Sequence, residues 1–174
     1  MNEKLSKAMS EQINKEIFSA FLYLAMSDWC QQNGLKGAAK WLYVQYQEEM
    51  IHGQNLYHYL QYRGEPVTLH PVEKPESKFA SLLDVFERVL AHEKTVTASI
   101  DNLATISMES RDHAAYNFLQ WYVSEQVEEE SNANDTIAKL KLAGPDLSGL
   151  LMIDSELGTR VFAAPVVPGL PAGL

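Results

Sequence analysis

Glu49-Met50-Ile51-His52 sets a carboxylate and an imidazole three residues apart, a spacing that turns both side chains to one face of a helix. Gln126-Val127-Glu128-Glu129 repeats the spacing with an amide and a carboxylate. Both pairs interrupt apolar helical stripes, the first between Leu42 and Leu56, the second between Tyr122 and Ala133. Glu16 interrupts a third stripe, Met9, Ile13, Ala20, Tyr23, and Glu93 a fourth, Phe86, Val89, Val96, Ile100. Any one of these acids is unremarkable on a solvated face. Four of them buried together would cost several kcal/mol per ion without compensation, and no Lys or Arg interrupts the stripes. Two divalent cations would balance the four charges. Mixed carboxylate and imidazole donors suit iron, manganese or zinc, not thiolate-seeking ions. Glu125 and Glu128 flank the set and could hold a further ion nearby.

These residues meet only if the elements carrying them align. Apolar residues recur at helical spacing from about Leu5 to Gln32, where Asn33-Gly34 stops the run. A second helix is expected from about Leu35 to Tyr62, ending at Arg63-Gly64. "EPVTLHPVEKPES" carries three prolines and reads as a loop. A third helix is expected from an N-cap near Ser77 to about Ser110, and a fourth from near Asp112 to Ala143, before Gly144-Pro145. Asp146 could cap a short fifth helix reaching about Arg160, and "APVVPGLPAGL" should be irregular. Four helices of roughly 28–33 residues, two short turns and one long crossover make an all-α four-helix bundle. Each acid falls about two residues from its helix midpoint, roughly 3 Å of rise, so the acids share one level. The domain reading is 1–161 for the bundle with its fifth helix and 162–174 for a Pro/Gly-rich tail.

Composition excludes other classes. The 174 residues carry a net charge of −9, from 14 basic and 23 acidic residues, which argues against a nucleic-acid partner. A single cysteine, Cys30, rules out an internal disulfide or a CxxC metal site. The polar amphipathic start, "MNEKLSKAMSEQINKE", lacks a signal-peptide core. No run approaches a membrane span. A cytoplasmic location without membrane contact is expected.

From about Met1 to Val161 the chain resembles the bacterial non-haem ferritins. The resemblance is carried by "NKEIFSAFLYLAMSDWC", "QYQEEMIHGQNLYHYL", "VLAHEKTV" and "FLQWYVSEQVEEE". It implies an up-down-down-up ferritin-like bundle, a homo-oligomeric shell of 24 subunits, oxidation of Fe(II) by O2 or H2O2 at a di-iron ferroxidase centre, and ferric mineral stored inside. By matching positions, the resemblance gives Glu16, Glu49 and His52 to a first iron, with Glu49 bridging, and Glu93 with Glu129 to a second. Gln126 would line the site. Glu48, Glu125 and Glu128, with Glu129, match an additional iron site, and Tyr23 matches a tyrosine beside the centre. Vertebrate-type members line a threefold pore with carboxylates near the start of the fourth helix, where this chain has Tyr116 and Leu119.

Two other readings remain. Met50 occupies the position of the haem-ligating methionine of bacterioferritins, but Q-x-x-E replaces their second E-x-x-H, so no haem is expected. A purely structural bundle without metal chemistry would tolerate loss of Glu93 or His52; an enzyme would not.

Overall fold

Side chains at the helix starts set most element boundaries. The computed structural model describes residues 1–170, which form α1 (Glu3–Gln32), α2 (Lys36–Tyr62), α3 (Leu82–Glu109), α4 (His113–Ala143) and α5 (Leu147–Leu157). Asn2 opens α1 by accepting from the Lys4 amide at 2.8 Å. Gly34 follows α1 with φ 80°, where a Cβ would be strained. The start of α2 carries only an apolar Leu35 as its N-cap. Its free amides are served from α5 instead: Asp154 accepts from Gly37 N at 3.1 Å and Ala38 N at 2.8 Å. That docking requires a glycine, because a Cβ on Gly37 would sit 1.6 Å from the Asp154 carbonyl oxygen.

The third helix starts later than the sequence suggests. Ser81, not Ser77, accepts from the Asp84 amide at 3.1 Å, and Asp84 accepts back from Ala80 N at 2.9 Å. These two bonds, one onto the Ser81 hydroxyl and one from the amide just before it, fix the boundary, and residues 76–80 stay outside the helix, with Glu76 paired to Arg88. The fifth helix likewise ends at Leu157, short of Arg160.

The four long helices run up-down-down-up. α1 packs along α2 and α3 along α4, α1 also meets α3, and α5 lies against α2 and α4. The crossover at 63–81 is laid on α1: Asn14 donates to the His70 carbonyl at 2.8 Å and accepts from its amide at 2.8 Å. At one end Arg63 donates twice to Asp112, at 2.8 and 3.0 Å, while Asp112 caps α4 through Ala115 N at 3.0 Å.

The apolar core is divided. One cluster gathers Met26, Cys30, Leu42, Phe86, Ile137 and Leu157. The other gathers Leu5, Met9, Leu56, Leu60, Ile100 and Phe118. Trp41 and Tyr59 belong to these clusters, so they pack internally; Tyr57 is only partly buried beside the second. Between the clusters lies a buried polar waist containing Gln12, Glu16, Gln45, Glu49, His52, Glu93, Gln126 and Glu129. Among the described residues no helix is long and apolar enough to cross a membrane.

Candidate metal centre

The helix lengths bring the acids to one height. Glu16, Glu49, Glu93 and Glu129 each fall within about four ångströms of rise of their own helix midpoints. All four are 5% exposed or less, and His52 is 3% exposed. The periodicity that makes each helix amphipathic therefore also carries its acid inward.

The α1–α2 side is the most convergent. Glu16, Glu49 and His52 each offer a ligand atom within 4.8 Å of the others. His52 Nδ1 lies 3.6 Å from Glu49 Oε2, too far for a direct hydrogen bond. Gln12, one turn before Glu16, donates to Glu16 Oε1 at 2.8 Å. Glu16 Oε2 and Glu49 Oε2 are buried without a hydrogen-bond partner. Burial, and then the neighbouring Glu49 charge, raises the Glu16 carboxyl well above its ordinary value. Burial raises Glu49 in the same way, helped by Glu93 and Glu129. In the absence of a cation these groups lean toward protonation.

The α3–α4 side is braced by donors. Tyr23 donates to Glu93 Oε1 and Gln126 Nε2 to Glu93 Oε2 at 3.0 Å. Gln45 donates to Glu129 Oε2 at 2.8 Å across the bundle. Burial, then the Glu93 charge, pushes Glu129 up to about 8. Burial and the charges of Glu93, Glu129 and Glu49 raise Tyr23 well above its usual range, so it stays a phenol and a donor. Tyr122 donates to the His52 carbonyl at 2.8 Å and its ring meets the imidazole edge-on.

The flanking acids are arranged differently. Glu125 is half-buried and Glu128 exposed. Burial raises Glu125, as do the charges of Glu128 and Glu48. Glu48 is ion-paired: Arg160, just beyond α5, donates to its Oε2 at 2.5 Å. Arg160 lies outside the helical stripes, so the stripe pattern could not reveal it. Leu119 is fully buried in the second core cluster.

Sequence reasoning also missed Gln12, Gln45 and Tyr122. A usable signal was present for the two amides: each precedes a stripe carboxylate, Glu16 or Glu49, by four residues and so lies on the same face.

A four-helix frame with a carboxylate-rich waist has counterparts among known proteins. The model of the ferritin-like domain matches residues 6–143. The chain belongs to the ferritin family. It is 43% identical over 157 residues to a bacterial non-heme ferritin of Campylobacter jejuni, covering 90% of this chain and 94% of that protein. It is 41% identical to a bacterial non-heme ferritin of Escherichia coli O157:H7, covering 91% and 96%. An open-pore ferritin from the hyperthermophilic archaeon Archaeoglobus fulgidus superposes with a TM-score of 0.91 at 46% identity, covering 92% of this chain and 99% of that one. Within this ferritin fold, the buried donor set of the waist is one histidine and four carboxylates, with Glu129 where an E-x-x-H step would carry a second histidine.

Proposed function

We propose that this ferritin stores and detoxifies iron, taking up Fe(II) at the waist of the bundle, oxidising it there and passing Fe(III) on to a mineral inside a homo-oligomeric shell; its likeness to bacterial non-heme ferritins supports the storage part of this reading. The observation that carries this reading is that Glu16, Glu49 and His52 bring ligand atoms within 4.8 Å of one another while one oxygen of each carboxylate, Glu16 Oε2 and Glu49 Oε2, is buried without a partner. Orphaned anionic oxygens in a dry interior are costly, and a cation satisfies both.

In this reading Glu16, Glu49 and His52 hold one Fe(II), Glu49 is shared, and Glu93 and Glu129 hold a second. Hard anionic oxygens favour the higher charge of Fe(III) over Fe(II). Two irons each give up one electron; O2 takes both with two protons and leaves as H2O2, and H2O2 taking two electrons and two protons leaves as two waters. Gln126 and Tyr23 orient Glu93 through their hydrogen bonds. Gln45 does the same for Glu129. Iron is substrate here, not a resident cofactor: the second position lacks a histidine and its carboxylates are shared with amide donors, which favours release. Exposed apolar side chains, Phe21, Leu24 and Tyr43 on the α1–α2 face and Leu147, Leu151 and Met152 on α5, supply surface for the subunit contacts of a shell, proposed at 24 copies in a cytoplasmic setting.

Mixing Fe(II) with metal-free protein in air and following ferric absorbance tests the reading. Rapid oxidation that is lost in Glu49→Ala is expected. A rate no faster than protein-free autoxidation overturns it.

A further inference from the structure

The donor to Glu16 is itself held in one direction. Gln12 and Glu16 lie one turn apart on α1, both buried. Gln12 Nε2 donates to Glu16 Oε1 at 2.8 Å. On its other side Gln12 Oε1 accepts from the Ser99 hydroxyl of α3 at 2.5 Å. Ser99 Oγ in turn accepts from the Lys15 ammonium at 2.6 Å. The four groups form one chain across the α1–α3 contact, from exposed Lys15 through half-buried Ser99 to the waist. Its direction follows from the outer end. An ammonium only donates, so Ser99 Oγ must accept from Lys15, and its single proton is left for Gln12. Gln12 must then present its carbonyl oxygen to Ser99 and its amino group to Glu16. A reversed amide would turn its oxygen on Glu16 Oε1, lone pair against lone pair, and leave the Ser99 proton facing an amino group. With Oε1 taken, Oε2 is the Glu16 oxygen without a partner. Gln45 supplies the contrast: it donates to Glu129 Oε2 at 2.8 Å, but its own Oε1 is buried with no donor behind it.

We propose that Lys15 and Ser99 are positioning residues of the metal centre: they fix the Gln12 amide, so that Glu16 keeps Oε1 on that amide and offers Oε2 to the first ion. Resting on the waist reading given under Proposed function, this makes the first position, and not the second, sensitive to two residues outside the ligand set. Neither touches the ion; each acts through Gln12. The exposed Lys15–Ser99 bond contributes little energy of its own, but it decides which way the buried bonds point. Charge alone predicts the opposite sign. Lys15 is a cation close to a cation site, and its removal should favour an incoming ion. The chain predicts a loss of affinity instead, because a freed amide no longer holds Glu16.

The test titrates the full-length, metal-free protein with Zn(II) and Co(II) under anaerobic conditions. Calorimetry counts and ranks the ions, anomalous diffraction locates them, and the visible spectrum of Co(II) reports coordination at the tight position. Gln12→Leu should weaken the first ion by about 10- to 100-fold and Ser99→Ala by about tenfold. Both should alter the Co(II) spectrum and leave the second ion unchanged. Ser99→Thr, which keeps the hydroxyl, should restore affinity and spectrum together, an outcome that loss of packing alone would not give. Lys15→Met should weaken the first ion by about two- to fivefold despite the lost positive charge, whereas Lys15→Arg should not. The proposal is overturned if Ser99→Ala leaves the first ion and its spectrum unchanged, or if Ser99→Thr fails to restore them. It is equally overturned if Lys15→Met binds the first ion as tightly as the unmodified protein or more so. Absence of an ion at Glu16, Glu49 and His52 in the unmodified protein is a different failure: it overturns the waist reading itself, and this proposal with it.

Discussion

The two halves of the waist carry similar side chains but are finished differently. On the α1–α2 half, Glu16, Glu49 and His52 converge and two carboxylate oxygens have no hydrogen-bond partner. On the α3–α4 half, Glu93 takes donors from Tyr23 and Gln126, and Glu129 takes one from Gln45. The first half is an electrostatic deficit that only a cation or protons can relieve. The second is already partly relieved, so an ion entering there must share or displace donors. Proteins of this design should bind a first ion tightly and a second more loosely, which suits a metal that arrives, reacts and leaves.

Substitutions can break or sharpen that asymmetry. Glu49→Ala removes the residue shared between the halves and should lower affinity for both ions by more than about 100-fold, beyond the usual cost of losing an outer partner, as read by calorimetry under anaerobic conditions. Glu129→Gln should leave the first ion nearly untouched and weaken the second by about 10- to 100-fold; equal weakening of both would erase the distinction. Gln45→Leu removes the cross-bundle donor to Glu129. It should alter only the second ion, by about tenfold, with Ala at the same position as the control for packing.

Acidity probes the same contrast without metal. Glu129 titrates near 8 in the folded chain against an ordinary 4.5, so between about 4.5 and 8 the folded state holds a proton that the unfolded chain has released. Stability of the metal-free protein must then rise as pH falls from 8 through this window, with no further gain from this group below about 4.5. Glu16 and Glu49, raised in the same direction, add to the trend. Metal affinity should move oppositely, since bound carboxylates must be deprotonated. Thermal unfolding of the metal-free chain should show a shift of several degrees between pH 8 and pH 6, at about 2–4 °C per kcal/mol for a chain of this length. Glu129→Gln should flatten it. The smallest effect is expected for Tyr23→Phe, which takes one donor from Glu93 and should slow oxidation by about tenfold or less with iron stoichiometry unchanged.

Much of this was legible in the residues. Proline and glycine placement marked the crossover and the turns, and helical periodicity put the four acids and His52 on inner faces. Boundaries were less legible where two capping residues compete: Ser77 and Ser81 look alike in sequence, and only the bonds of Asp84 to the Ser81 hydroxyl and the Ala80 amide select the second. Long-range partners were not legible. Asp154 caps a helix more than a hundred residues away, and Arg160, expected at the end of the fifth helix, instead lies beyond it and reaches Glu48 on α2. Such contacts depend on how helices are set side by side, which periodicity within one helix does not encode. Gln12 and Gln45 fall between these cases, since their four-residue offset from an acid placed them on the right face without naming the acceptor.

The central claim is that the waist is a deficit of positive charge shaped for two cations. Anaerobic calorimetric titration of the metal-free protein with Fe(II), alongside His52→Ala, tests it most directly. Two ions per chain are expected, the tighter one lost on removing the imidazole. Weak binding at no fixed ratio, or a tight ion indifferent to His52, would contradict the account.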